Sequence, residues 1–378
     1  MHLTPIILLS VFLTTSTGAQ TVFPTTSTST QISQEVELLP GEVQYLNNAK
    51  RLVPDGEFKN GSLSPDESWI CWQAPPEDET GEDQVWVMPA IGGVPLMISS
   101  GIGRAINPVF VPGTNLIVYS ENITVDPATL SGKDKSAKLL CILDEQDLYM
   151  ANTEGGKSIR LTDTPGYDSE PSVSPDGQTI VFTSARIGDI NLFTMNFDGT
   201  NQTPLIKSVG IECQPCFSPD GMRIIFSSYN PQSKEEKAYC KDVINSGKVP
   251  FMPFELEVIN VDGTNRRKIT ELGATSLSPC IHLLSGNVVF QSNYSGIIDG
   301  ENSIVSDFNL FEIGIDGTRL RQITFNPDFD GRPNFSLAGG RLIWTSVRHT
   351  TTVNSYGLYS AEWIAVFQPS TIIPSTER

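Results

Sequence analysis

The stretch from Ser169 to Thr200, SEPSVSPDGQTIVFTSARIGDINLFTMNFDGT, is echoed from Cys213 to Ser228 as CQPCFSPDGMRIIFSS. Anchored on the second proline of each, equivalent positions are Pro65, Pro112, Pro175, Pro219, Leu283 and Leu337. Seven residues later every copy has an aromatic: Trp72, Tyr119, Phe182, Phe226, Phe290 and Trp344. Four residues before the anchor stand Gly61, Pro108, Pro171, Pro215, Pro279 and Pro333. Three columns held in register through six copies define a repeat array, in which a unit buries its apolar face only against its neighbours.

Each copy continues with an alternating segment and a glycine turn, such as QVWVMPAIGG from Gln84, NLFTMNFDGT from Asn191 and NLFEIGIDGT from Asn309. Asp-Gly or Gly-Gly after alternating apolar residues makes a tight hairpin. A short strand follows, as in SIRLT, RRKIT and LRQIT. Four strands per copy predict an all-β fold, a six-bladed β-propeller. The proline column suits an innermost strand, whose free edge borders the channel and needs no ladder N–H. The aromatic column falls on the second strand and is assigned to packing between blades. The sixth copy ends near Trp363 with no fourth strand, and the segment from Asn48, NAKRLVPDGEF, has that strand's pattern. The N-terminal strand is therefore expected to close the last blade. Insertions at Glu121–Glu145 and Pro231–Phe254 separate second from third strands, and the second, with SKEEKAYCKD, reads as a short helix on one face.

These repeats resemble the WD40-like PD40 repeat, and the whole from about Asn48 to Ala365 resembles a TolB-like propeller. The resemblance is specific for fold and not for function. It implies a binding platform that docks protein partners at the channel mouth. Similar propellers also stand beside peptidase domains or form a lyase acting on pectin fragments. The copies depart from the pattern at Asp66-Glu67-Ser68, Gly113-Thr114, Ser285-Gly286 and Leu337-Ala338-Gly339. These changes affect the turn and leave the blade unaltered.

The chain is organised as a signal peptide (1–19), a Ser/Thr-rich leader (20–47), the propeller (48–365) and a C-terminal tail (366–378). Ile6 to Leu13 is a short apolar run followed by Thr17-Gly18-Ala19, the pattern of an export signal and too short to span a bilayer. The expected location is extracellular. A formal charge of −18 excludes nucleic acid and anionic membrane surfaces as partners. Six cysteines in an exported chain are compatible with disulfides, though sequence does not choose the pairing. The Cys213-x-x-Cys216 pair lies in a β repeat, where residues three apart point to opposite faces, and so lacks the setting of a redox or zinc motif. N-glycosylation is expected at Asn60, Asn122, Asn201 and Asn293, while the sequon at Asn334 falls inside an innermost strand.

No catalytic constellation is legible. There is no G-x-S-x-G, and the histidines are His2, His282 and His349. No cofactor is expected; an all-carboxylate Ca²⁺ site stays open, without EF-hand spacing. The loops that lead into the innermost strands form the mouth. They carry Asp168, Glu170, Glu212, Asp328, Asp330 and Arg332, with Arg186 and Arg348 from loops on the same face. As a ligand site these residues would form a mostly acidic ring that takes an extracellular protein or peptide, with a preference for basic ones. As structure they would be loop caps and salt bridges between blades. The leading expectation is a secreted, non-enzymatic binding module. The alternatives are a matrix or cation-binding glycoprotein and a lyase or hydrolase using Asp168, Glu170 and Glu212.

Overall fold

The computed structural model describes residues 34–52, 58–76, 81–123, 139–294, 308–336, 339–348 and 357–363. The export signal, the tail, Leu337 and His349 lie outside the described residues, as does the leader before Gln34.

The chain forms six antiparallel sheets arranged as blades, with each first strand beside the first strands of its neighbours around a central channel. Blade 1 comprises Lys59–Leu63, Trp69–Ala74, Gln84–Pro89 and Leu96–Met97. Blade 2 comprises Arg104–Phe110, Leu116–Asn122, Asp147–Asn152 and Ile159–Arg160. Blade 3 comprises Asp168–Val173, Thr179–Ser184, Asn191–Asn196 and Thr203–Pro204. Blade 4 comprises Ile211–Phe217, Arg223–Tyr229, Glu255–Asn260 and Arg267–Lys268. Blade 5 comprises Ser276–Ile281, Val288–Ser292, Asn309–Ile313 and Arg321–Gln322. Blade 6 takes three strands from the end of the chain, Asp330–Phe335, Arg341–Ser346 and Gly357–Trp363. Its fourth is Leu46–Arg51, paired antiparallel to Gly357–Trp363, with Gln34–Glu35 outside it. The N-terminal strand thus closes the ring.

The six aromatics of the repeat are fully buried, from Trp72 at 1% to Trp344 at 0% exposure. They belong to six apolar clusters, one at each interface between neighbouring blades. The last of these joins Ile343 and Leu358 of blade 6 to Trp72 of blade 1. At that seam the proline column carries Gly61, because a Cβ there would stand 2.3 Å from Leu358 Cδ2. The turn chemistry varies as the sequence suggests. Asp66, Asp176 and Asp220 accept the backbone N–H two residues on, and Thr114 and Ser285 do the same where aspartate is missing.

The two insertions meet. Leu139–Ile142 pairs with Lys248–Pro250, and the helix Lys234–Ser246 lies beside them. Ser233 caps that helix and Glu236 returns a bond to the Ser233 N–H, the reciprocal arrangement that satisfies two orphan donors. Cys240 and Val243 of the helix, with Phe254 and Met252, make a seventh cluster against Ile190, Ile211 and Phe308. Second-to-third-strand loops lie on the face where first strands begin, so this cap raises one side of the channel mouth.

The chain from Gln34 to Leu46, assigned above to the leader, packs on the last blade. Glu42 is wholly buried and accepts both Arg348 Nη1 and Nη2 at 2.9 Å, Leu39 N at 2.9 Å and Phe325 N at 3.1 Å. Arg348 also pairs with Asp330 and sits over the Trp344 ring, 5.5 Å from its centroid. Removing one partner of a buried network leaves the others charged and desolvated, at a cost of about 3–5 kcal/mol. Glu42→Ala should lose about that much unfolding free energy in urea, and protease should then cut within residues 34–52 of the otherwise folded propeller. An unchanged midpoint would show that the strand pairing alone closes the ring.

Candidate functional site: the channel mouth

Every first strand contains a bulge, seen as a register shift against its second strand. Five residues before the anchor, the bulge holds a non-glycine residue in the left-handed region: Asn60 (φ 53°), Asn107 (56°), Glu170 (54°), Gln214 (53°), Ser278 (51°) and Arg332 (53°). L-residues enter this region at a cost, and asparagine pays least. All six line one cavity of about 320 Å³ at the start of the first strands. Lys59 and Asp83, 3.6 Å apart, and Arg104, 3.1 Å from Asp144, complete its rim.

The ring also staples the blades together. The N–H of Asn60 goes to Thr345 Oγ1 (3.1 Å), that of Asn107 to Gln73 Oε1 (2.9 Å) and that of Arg332 to Gln291 Oε1 (2.7 Å). The acceptors lie eight residues after the anchor on the preceding blade's second strand, a column that is polar in all six copies. In blade 4 the column holds the short Ser227, and Gln214 Oε1 takes the Ser278 N–H instead, at 2.7 Å. Gln214 N in turn donates to Glu170 Oε2 at 2.9 Å, and the Thr183 hydroxyl to the same oxygen at 2.8 Å. Burial pushes the Glu170 carboxyl above its ordinary range, opposed by these bonds and by the charge of Arg332.

Below the ring, Pro171, Pro215, Pro279 and Pro333 border both this cavity and a second one of about 400 Å³. The lower cavity is lined by apolar side chains such as Phe110, Val173, Phe217 and Phe335. The proline column therefore lies between a polar upper chamber and a lower one of mixed lining, where Ser62, Ser172, Asn334 and Ser336 stand among the apolar side chains.

The charges proposed from sequence divide into two groups. Glu170 and Arg332 face the upper chamber. Asp168, Glu212 and Asp330 do not: they are 1%, 0% and 0% exposed and bind Arg186, Arg266 and Arg348. Arg186 stacks over Phe182 and Phe193 at 5.4 and 5.0 Å, so the acid–arginine pair caps the aromatic column within its own blade. Asp328 is exposed on the loop before blade 6 and does not line the chamber. The mostly acidic ring is thus replaced by a ring of four uncharged polar side chains with one carboxylate and one guanidinium. Sequence reasoning named Glu170 and Arg332 but missed Asn107, Gln214 and Ser278, and it treated Asn60 only as a sequon.

Two further expectations are corrected. Cys71, Cys216, Cys240 and Cys280 are unbonded thiols. Cys213 turns to the cap cluster and Cys216 to the one between blades 5 and 6, and burial raises the Cys216 thiol to about 11, far from a reactive range. Of the sequons expected to carry glycans, Asn122 and Asn293 are buried and Asn60 donates to Asn107 Oδ1 at 2.5 Å; Asn201 is exposed. His282 lies buried between Ser285 Oγ and the Gly339 carbonyl, both 2.9 Å away. No group of three or more His, Cys, Asp or Glu side chains able to hold a metal occurs among the described residues.

A six-bladed β-propeller with a two-chambered channel is the class of protein these features define. Residues 123–235 match the family described as TolB beta propeller domain, PD40. A TolB homolog of Chlorobium luteolum is 34% identical over 76 residues, which are 20% of this chain and 17% of that protein, so the match spans about a sixth of the relative's length. The solved structure of a putative TolB from Agrobacterium tumefaciens superposes with a TM-score of 0.54 at 16% identity, covering 82% of this chain and 91% of the other. A gluconolactonase from Xanthomonas campestris superposes with 0.52 at 12% identity, covering 88% and 95%. The chain is a six-bladed β-propeller similar in fold to TolB, with the PD40 match confined to residues 123–235. Likeness at these identities speaks for the fold alone.

Blade 2 departs from the acid–arginine pattern. Ala105 stands where Asp168 and Asp330 stand in their own blades, and the acid of blade 2 is Glu121, 1% exposed, with Oε1 bonded to Ser100 N at 2.7 Å. The Tyr119 ring stacks on that of Tyr149, at 6.2 Å between centroids, and its hydroxyl lies beside the Glu121 carboxyl. Burial raises the Glu121 carboxyl, so the folded state holds its proton more tightly than the unfolded chain. Its contribution is full below the unfolded value and lost as pH rises through the folded one. Glu121→Gln should therefore have a higher urea midpoint than the wild type at pH 8, and the two should converge at or below about pH 4. A constant difference at both pH values would place the charged form in the fold.

Proposed function

We propose that this chain is a non-enzymatic binding module that works outside the cytoplasm, exported by residues 1–19, and takes a protein or peptide segment through the channel mouth. The observation that carries the reading is the ring of six bulge residues held at positive φ around an open polar chamber. Six donor and acceptor side chains converging on one axis suit the backbone of an entering chain, whose N–H and C=O groups need partners once desolvated. Among the described residues the proposed carboxylates do not form a free pair, which supports the non-enzymatic part. The candidates Asp168 and Glu212 are bound by Arg186 and Arg266, which leaves Glu170 as the one carboxylate in the ring. The similarity to TolB supports a partner of protein nature.

Asn107 is the residue to change, because Asp tolerates the same backbone region and still accepts from Asn60. Asn107→Asp adds a negative charge to the chamber and removes the Nδ2 donor, which reaches Ser169 Oγ at 3.3 Å. Peptides captured from a random library by the wild type should bind this variant at least about tenfold more weakly, with the melting temperature changed by only a few degrees. Equal capture by both proteins would remove the mouth as the binding surface.

A further inference from the structure

Glu170 belongs to blade 3 and Arg332 to blade 6, three blades apart in a ring of six. They therefore stand on opposite walls of the upper chamber, and each is the one residue of its sign among the six bulge positions. The four positions between them are uncharged amides and a hydroxyl. Asn60 and Asn107 of adjoining blades 1 and 2 are joined at 2.5 Å, and Gln214 and Ser278 of blades 4 and 5 are joined at 2.7 Å through the Ser278 N–H. The ring is thus two hydrogen-bonded arcs that separate an anionic pole from a cationic one.

We propose that the upper chamber binds a short zwitterionic peptide, of dipeptide or tripeptide size, with its free ammonium at Glu170 and its free carboxylate at Arg332. The inference rests on the reading of the mouth as a peptide site and narrows it from a passing chain to a ligand with both ends free. A chamber of about 320 Å³ suits such a ligand and is at the small end of ligand pockets. The prolines below it offer no N–H donors, so the polar partners for a ligand are those of the upper chamber. Glu170 has no arginine capping it within its blade, because Arg186 is engaged by Asp168. The electrostatic influence of Arg332 reaches Glu170 across the chamber, so the two charges act on the same enclosed space. Both poles are charge-assisted hydrogen-bonding groups, the kind that contribute most to affinity in a desolvated site.

The test is calorimetric titration of the full chain with Ala-Ala, N-acetyl-Ala-Ala, Ala-Ala-amide and a ten-residue peptide blocked at both ends. Ala-Ala should bind, and blocking either end should weaken it by about tenfold or more. In Glu170→Gln, acetylation should no longer matter. In Arg332→Asn, which keeps a residue suited to the left-handed backbone, amidation should no longer matter. Equal affinity for the free and blocked dipeptides would overturn the proposal. Binding of the long blocked peptide alone would overturn it while leaving the mouth a peptide site, and binding of neither class would remove both readings. The blocked ligands make the test on the wild type itself, so the result stands even if a variant folds poorly.

Discussion

Closure of the ring is the constraint on which the rest depends. An open array of six blades would expose the apolar faces of the first and last sheets, each as rich in aromatics as the interfaces it already buries. Here the last sheet is completed from the other end of the chain by Leu46–Arg51, and Glu42 fixes that strand's approach. Glu42 and Arg348 are 306 residues apart in sequence, so their contact forms only when the circle does. The loop-closure entropy is large and must be offset by many groups together. Tyr45, Leu46 and Ala49 enter the cluster between blades 5 and 6, so the same segment supplies apolar burial as well as the ion pair.

With the ring closed, the first strands face one another across a narrow channel, and their geometry becomes common to all six blades. The bulge follows from this crowding. A strand that twists strongly near the axis relieves itself with one extra residue, and that residue takes positive φ. The same backbone then aims a side chain at the axis and its N–H at the preceding blade. Gln73, Thr345 and Gln291 meet that N–H directly, while Ser227 is too short and Gln214 replaces it. One backbone irregularity therefore does two jobs, joining neighbouring blades and lining the chamber.

Most of the fold was legible because repetition reports it. The aromatic column, the proline column and the missing fourth strand each have one physical cause, and each is visible as spacing in the chain. The site was harder to read for the same reason. Asp168 and Asp330 stand at equivalent positions, as do Arg186 and Arg348, and charges that repeat with the blade are the charges that build the blade. Reading them as ligand contacts took closeness to the mouth as the criterion, whereas burial decides. The ring itself also left a sign in the sequence, since the position five before the anchor is polar in every copy. Strict alternation cannot find it, because a bulge shifts which residues face the channel. Glu42 left no sign at all: it lies outside the repeat, and nothing local marks it as the partner of an arginine near the other end.

The contrast between the two kinds of charge carries a wider argument. At the capping positions an acid is paired with an arginine that stacks on the aromatic column, and both are desolvated, so changing either alone costs stability. At the ring positions the backbone is strained to the same degree in every blade, yet the side chains are Asn, Asn, Glu, Gln, Ser and Arg. Asparagine or glycine would relieve that strain at each of the six, and only two have taken asparagine. A left-handed arginine and a left-handed glutamate on opposite blades cost more than the fold requires. Strain kept where a cheaper residue would serve is the mark of side chains held for what they touch. In this propeller Glu67 and Arg319 take the same region singly, in turns, whereas the upper chamber carries that mark at the equivalent position of all six blades.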